Sequence, residues 1–308
     1  MTAASPPPVV PPSWRRREAR LAWALVLPAL GIIAAVAVFP IGWTVWESLH
    51  LHDLRMPWLG RPYVGLANYA AAMGDRRFWS AVGHTGVFAA LSVSIELTLG
   101  LVLALGLDRV RRAAGLVRTV VLLPWALPTV VVALVWRFIF ESPAGLATAL
   151  AARAGVTAPT WFADAVAAWV PIVLADVWKT TPFVALLLLA GLQAIDPALS
   201  EAAAVDGAGP WRRFTGVTWP LLRPALLVAF LFRTLDALRV FDVVYVMTGG
   251  GPGTATEPIA LYTFGTLLQN LRFGYGAALS VIVFVTAFAL ALAAIRVLGS
   301  DAFLERRP

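Results

Sequence analysis

Apolar residues run along this chain in long blocks rather than alternating with polar ones. Leu21 to Trp46 contains no charged residue at all. A helix needs about 20 apolar residues to cross the hydrocarbon core of a bilayer. Five further blocks reach that length, at about 81–107, 119–140, 165–192, 221–247 and 273–295. Only helices or closed barrels satisfy their backbone polar groups in lipid, and these blocks are helix-length. The expected fold is therefore an all-α membrane protein with six transmembrane helices. Arg15-Arg16-Arg17 precedes the first block, as in a signal peptide. That block is too long for one and lacks a small-residue cleavage site, so an uncleaved span is expected. The division that follows is 1–20 as a disordered tail, its start rich in proline, and 21–80 as the first span with its external loop. Residues 81–298 form the core, with a polar loop at 193–220, and 299–308 form a second tail.

Composition agrees. Hydrophobic residues make up 60% of the chain and charged ones 13%, against roughly 25% charged in soluble domains; the mean hydropathy is +0.80. The absence of cysteine excludes a disulfide framework and a thiolate metal site. His50, His52 and His84 are too few and too scattered for a metal centre, so none is expected. A net charge of +7 would suggest nucleic acid in a soluble protein, but here its distribution reads as topology and no nucleic-acid partner is expected. With the N-terminus inside, Arg15, Arg16, Arg17, Arg20, Arg109, Arg111, Arg112, Arg118, Arg212, Arg213, Arg223, Arg296, Arg306 and Arg307 fall on the cytoplasmic side. Arg55, Arg61, Arg76, Arg77, Arg153 and Arg272 fall outside. The excess of arginine inside places both termini, and residues 193–220, in the cytoplasm.

Ionisable side chains within a span are costly and face a bundle interior or a wet cavity. The fourth block carries Asp176, Lys179 and Thr180, whose spacings of three and four put them on one helix face. Asp176 and Lys179 are positioned to neutralise each other, and Pro182 to loosen the helix beside them. The fifth block carries Arg233, Asp236, Arg239 and Asp242, alternating in sign every three residues. Each step falls about 60° short of a full turn, so the ladder drifts around the helix. Arg233 and Asp236 are read as pathway lining, whereas Arg239 and Asp242 serve equally well as subunit contacts. Glu96 is expected to pair within the bundle, and Arg137 to snorkel to the outer interface beside Trp136. The glycine run 248–253 lacks the lysine and hydroxyl of a nucleotide loop and is read as a flexible external turn. No G-x-x-x-x-G-K-[ST] occurs, so the chain is not expected to bind ATP itself.

The loop at 193–220 is polar and helix-forming. Asp196-Pro197 is an N-cap followed by a first-turn proline, and Gly207 is placed for a left-handed C-terminal cap. Pro210 opens a second short helix with Trp211, Phe214 and Val217, until Pro220 and Pro224 restart the chain as a span. Two helices joined at a glycine make a knob that can seat in a partner's groove. The pattern Glu201-Ala202-Ala203, then Gly207, Val217 and Trp219-Pro220 resembles the cytoplasmic "EAA" loop of permease subunits in binding-protein-dependent ABC importers, with Trp-Pro where that family has Leu-Pro. From about 85 to 298 the chain is similar to the carbohydrate importers of the maltose type, through Leu-Pro-Trp-Ala-Leu-Pro at 123–128, residues 178–182 and the run 245–252. The runs 177–183 and 231–241 resemble the trehalose-importing permeases of actinobacteria.

The resemblance implies a type I ABC importer permease in the bacterial plasma (inner) membrane, multi-pass and in contact with membrane lipid. Its implied partners are a second permease subunit, two ATP-binding cassette subunits and an extracellular or periplasmic solute-binding protein. ATP is bound by the cassette partner, and no cofactor is expected in this chain. By position it places sugar contacts at Asp176, Lys179, Thr180, Arg233, Ala237 and Val240, with Asp236 beside them. The family has small polar or amide residues at several of these positions, where this chain has charges, alanine and valine. ATPase coupling is implied for Glu201, Ala202, Ala203, Asp206, Gly207, Phe214 and Pro220. The rival readings are an ion-coupled secondary carrier with Asp176 and Lys179 as its ion site, which needs neither the loop nor its motif, and a membrane enzyme, for which no catalytic constellation stands out.

Overall fold

The computed structural model describes residues 12–110 and 113–304, and every regular element among them is a helix. The proline-rich start, residues 1–11, and the last four residues of the second tail lie outside the described residues. Helix α1 (Pro12–Ile33) begins with proline in its first turn and runs through a π-turn at Ala34–Val38 into α2 (Phe39–Ser48). The chain then forms a small ordered cap: α3 (Ala67–Gly74) is tied back by Asn68, which donates to the Ser48 carbonyl at 2.8 Å and the His50 carbonyl at 3.0 Å.

The long helix α4 (Arg76–Asp108) starts where the Asp75 carboxylate accepts from the Arg77 amide at 2.8 Å. It is followed by α5 (Ala114–Ala126) and α6 (Thr129–Phe140), which are bent 83° to one another. Next come α7 (Leu146–Arg153) and α8 (Trp169–Gln193), then the short α9 (Pro197–Val205). Helix α10 (Pro210–Arg213) passes through a π-turn into α11 (Trp219–Ala237). The chain ends with α12 (Asp242–Met247), α13 (Ile259–Phe264) and α14 (Phe273–Leu304). Five helical stretches are long and apolar enough to cross a bilayer, and the bent α5–α6 pair makes a sixth.

Several expectations change. Residues 12–20, expected within a disordered tail, are helical and open α1. The third span is broken: Pro128 has no amide hydrogen and biases Leu127 to the extended backbone that it adopts, so the helix stops at Ala126. The fifth span ends at Ala237 rather than near 247, which puts Arg239 in an irregular break and Asp242 at the start of α12. Pro210–Ala237 is one helical stretch, so the second helix of the 193–220 loop is the end of the fifth span and no separate element.

The core lies where α4, α8 and α11 meet. Gly100 of α4 lies against Val184 of α8, and Gly191 of α8 against Ala225 of α11; any side chain at either glycine would overlap its neighbour. Small residues at such crossings let backbones approach closely, the main source of packing attraction in lipid. The first span contributes little: every residue from Arg20 to Trp43 is exposed, and α2 packs mainly on α14. The glycine run is not a free turn. Buried Thr256 donates to the Gly251 carbonyl at 2.7 Å and shares a 2.8 Å hydroxyl bond with Thr248. The neighbouring Glu257 carboxylate accepts two bonds of 2.8 Å from Arg77 of α4.

Candidate functional site

Arg233 projects from α11 into the junction of α4, α8 and α11 and is 2% exposed. Its Nε and Nη2 form a fork onto the carboxylate of Glu96, the second contact measuring 2.8 Å. Nη2 also reaches Asp176 Oδ2 at 3.0 Å, and Nη1 donates to Asp236. Glu96 is wholly buried and accepts from Thr180 Oγ at 2.6 Å; that hydroxyl lies equally close to the Asp176 carbonyl. One guanidinium thus serves three carboxylates from three helices. A fully desolvated carboxylate is tolerated only when paired and hydrogen-bonded, and bidentate Arg–carboxylate geometry is the strongest such pair.

The cluster sorts the residues expected to line a pathway. Arg233 spends its donors on the three carboxylates and Thr180 its hydroxyl on Glu96, and both are buried. Asp236 is the open member, its side chain 62% exposed, and Asp176 is 15% exposed. Ala237 and Val240 sit in the apolar core with Ala133, Ile172 and Val244, and border a cavity of about 240 Å³. Asp176, Lys179, Thr180, Asp236, Arg239 and Asp242 line the same cavity. A neighbouring cavity of about 710 Å³ is shared by Trp125, Phe183, Asp236, Arg239 and Phe284. Asp176 and Lys179 do not neutralise each other: Asp176 is held by Arg233, and Lys179 Nζ donates to the Trp125 carbonyl at 3.4 Å. The i, i+3 spacing brings the pair to one face, but a guanidinium from α11 offers Asp176 the better partner.

Glu96 does pair within the bundle. Arg137, rather than only snorkelling, donates to the Val246 carbonyl at 2.9 Å and ties α6 to α12. Trp125 and Phe183 join the site although neither carries a charge that would mark it in the sequence. Their rings stack with centroids 5.3 Å apart and planes 12° from parallel. The signal that could have found them is the Pro124, Pro128 pair around Trp125, which marks a span unable to stay helical.

A second candidate surface lies at α9. Asp196 caps its start by accepting from the Ala198 amide at 2.9 Å. Its end is a glycine cap: the Gly207 amide donates to the Ala204 carbonyl at 3.1 Å and the Ala208 amide to the Ala203 carbonyl at 2.9 Å, with φ of +81° at Gly207. Glu201, Ala202, Asp206 and Gly207 are exposed and Ala203 half-buried. Phe214 sits half-buried between Trp211 and Trp219, with centroids 5.9 and 6.1 Å away, and Pro220 is half-buried beside them. Val205 is 88% and Trp211 73% exposed, an apolar tip that nothing among the described residues covers.

Among known proteins, the sequence pattern of the family described as "Binding-protein-dependent transport system inner membrane component" matches residues 96–308. A permease named for trehalose/maltose transport in Thermococcus litoralis is 43% identical over 91% of this chain and 94% of its own length. A trehalose transport permease of Mycobacterium tuberculosis is 40% identical, covering 94% of this chain and 92% of its own. Among solved structures, a chain of a bacterial alginate ABC transporter superposes with a TM-score of 0.78 over 92% of this chain and 96% of its own, at 23% identity, a likeness of fold. The six-span bundle, the glycine-capped hook and these full-length similarities agree: the chain belongs to the binding-protein-dependent transport system inner membrane components.

Proposed function

We propose that this chain is one of two permease subunits of an ATP-driven importer for a neutral disaccharide of the trehalose or maltose class. It forms half of a pathway that opens alternately to either side. The observation that carries the choice of cargo is similarity along nearly the whole chain to two permeases named for trehalose. The chamber chemistry supports it. Asp236 and Asp176 offer acceptors to sugar hydroxyls, and the Trp125–Phe183 stack offers an aromatic wall to a sugar's apolar face. In this reading α9 lies in the cytoplasm, as the arginine distribution favours, and docks on an ATP-binding cassette subunit through Glu201, Ala202, Ala203, Asp206 and Gly207. Phe214 and Pro220 join that surface to the fifth span. A solute-binding protein delivers cargo to the opposite face, and ATP closes the cassette pair, drawing the two hooks together.

The test is uptake of labelled trehalose and maltose into vesicles holding the reconstituted assembly. Uptake should require both ATP and the solute receptor. Uptake driven by a proton gradient with neither present would replace this reading with the ion-coupled carrier.

A further inference from the structure

The break between α5 and α6 strands backbone groups at the level of the charged chamber. In an unbroken helix the Trp125 carbonyl would accept from the Thr129 amide, but after Ala126 the chain turns through 83° and that donor is gone. Pro128 has no amide to offer the Pro124 carbonyl, which is reached instead by the Leu127 amide at 3.4 Å. Irregular backbone at membrane depth persists only where protein or cavity water satisfies it. Lys179 Nζ lies 3.4 Å from the Trp125 oxygen, a cation at a helix C-terminus, where the helix dipole favours positive charge. One turn further along α8, Phe183 stacks on the Trp125 ring. Helix α8 therefore grips Trp125 twice, by its carbonyl and by its indole.

We infer that Lys179 is a positioning residue rather than a cargo ligand: it caps the broken span and thereby sets Trp125 as a wall of the chamber. The consequence for cargo rests on reading the chamber as the transport site; the cap itself does not.

Two measurements on the full assembly, the first in nanodiscs and the second in sealed vesicles, separate these. The first is amide hydrogen exchange at Leu127 and Val132, which bond the Pro124 and Pro128 carbonyls on either side of the elbow, measured without cargo. Lys179→Met should speed exchange severalfold and Lys179→Arg restore it; unchanged exchange in the methionine variant overturns the cap. Should Lys179→Met fail to assemble, Lys179→Gln, shorter and uncharged, takes its place with the same expectation. The second is a double-mutant cycle on the KM for trehalose uptake. Lys179→Met and Trp125→Ala should each raise KM, and the double variant should do no worse than Trp125→Ala alone. Losses that multiply would overturn the positioning role and make Lys179 an independent cargo contact. If trehalose is not carried at all, the exchange result still stands or falls by itself.

Discussion

Arg233 shows how one side chain organises a polar interior in an apolar bundle. Removing it leaves Glu96, Asp176 and Asp236 without their shared cation, and breaking a buried pair in this way costs about 3–5 kcal/mol. Arg233→Met should lower the thermal midpoint of the purified assembly sharply. Arg233→Lys should recover only part of it, because an ammonium cannot fork onto Glu96 and reach two further carboxylates. Asp236 differs. With most of its side chain exposed and an amide oxygen still able to accept from Arg233, Asp236→Asn should cost about 1 kcal/mol or less while raising the KM for sugar uptake; an unchanged KM would remove it from the chamber's working surface. The charges themselves stand out in the sequence because they interrupt apolar runs. Their pairing does not, since the Glu96 and Asp176 partners of Arg233 lie 137 and 57 positions away. Local spacing suggested Asp176 with Lys179, and only the approach of α11 decides otherwise.

Among the elements, α9 was the most legible, because its cap residues are local: Asp196, Pro197 and Gly207 each fix one backbone feature. The left-handed φ at Gly207 makes Gly207→Ala cost about 1 kcal/mol of hook stability. Limited proteolysis should find the α9 segment cut faster in that variant while the spans stay intact. Glu201→Lys leaves the helix intact but reverses an exposed charge, so ATP hydrolysis should persist while sugar uptake is lost; normal uptake by the assembled variant would refute the proposed docking surface. The spans were legible as apolar blocks, but their interruptions were not. A block's hydropathy is blind to a missing amide hydrogen, so the elbow at Leu127-Pro128 and the stop after Ala237 disappear into the runs at 119–140 and 221–247. Close helix crossings are equally silent in a hydropathy pattern. Gly100→Val would force α4 from α8 and should cost about 1–3 kcal/mol, read as a lower thermal midpoint.

At the scale of the whole molecule, the cap between the first two long spans joins elements distant in sequence. Asp53 bonds Arg55 and reaches Arg272 at 4.0 Å, just before α14. Hydrogen bonds from Arg55 hold the Asp53 carboxyl below its ordinary range. A carboxylate depressed by folding contributes stability above its unfolded pKa, about 3.9, and loses it as pH falls through the lower folded value. The cap should therefore loosen only in strong acid, and Asp53→Asn should flatten that dependence when the thermal midpoint is followed from pH 6 down to about 3. The opposite end of the bundle invites a mechanical reading. Because Pro210–Ala237 is one helical stretch, Trp211 at the bare tip and Arg233 at the charged junction belong to a single rod with about 33 Å between them. Tilting that rod by about 10° about either point displaces the other by about 6 Å, given that length. That is about the width of a sugar ring, so a small angular change at the hook suffices to open or shut a passage at the level of the carboxylates.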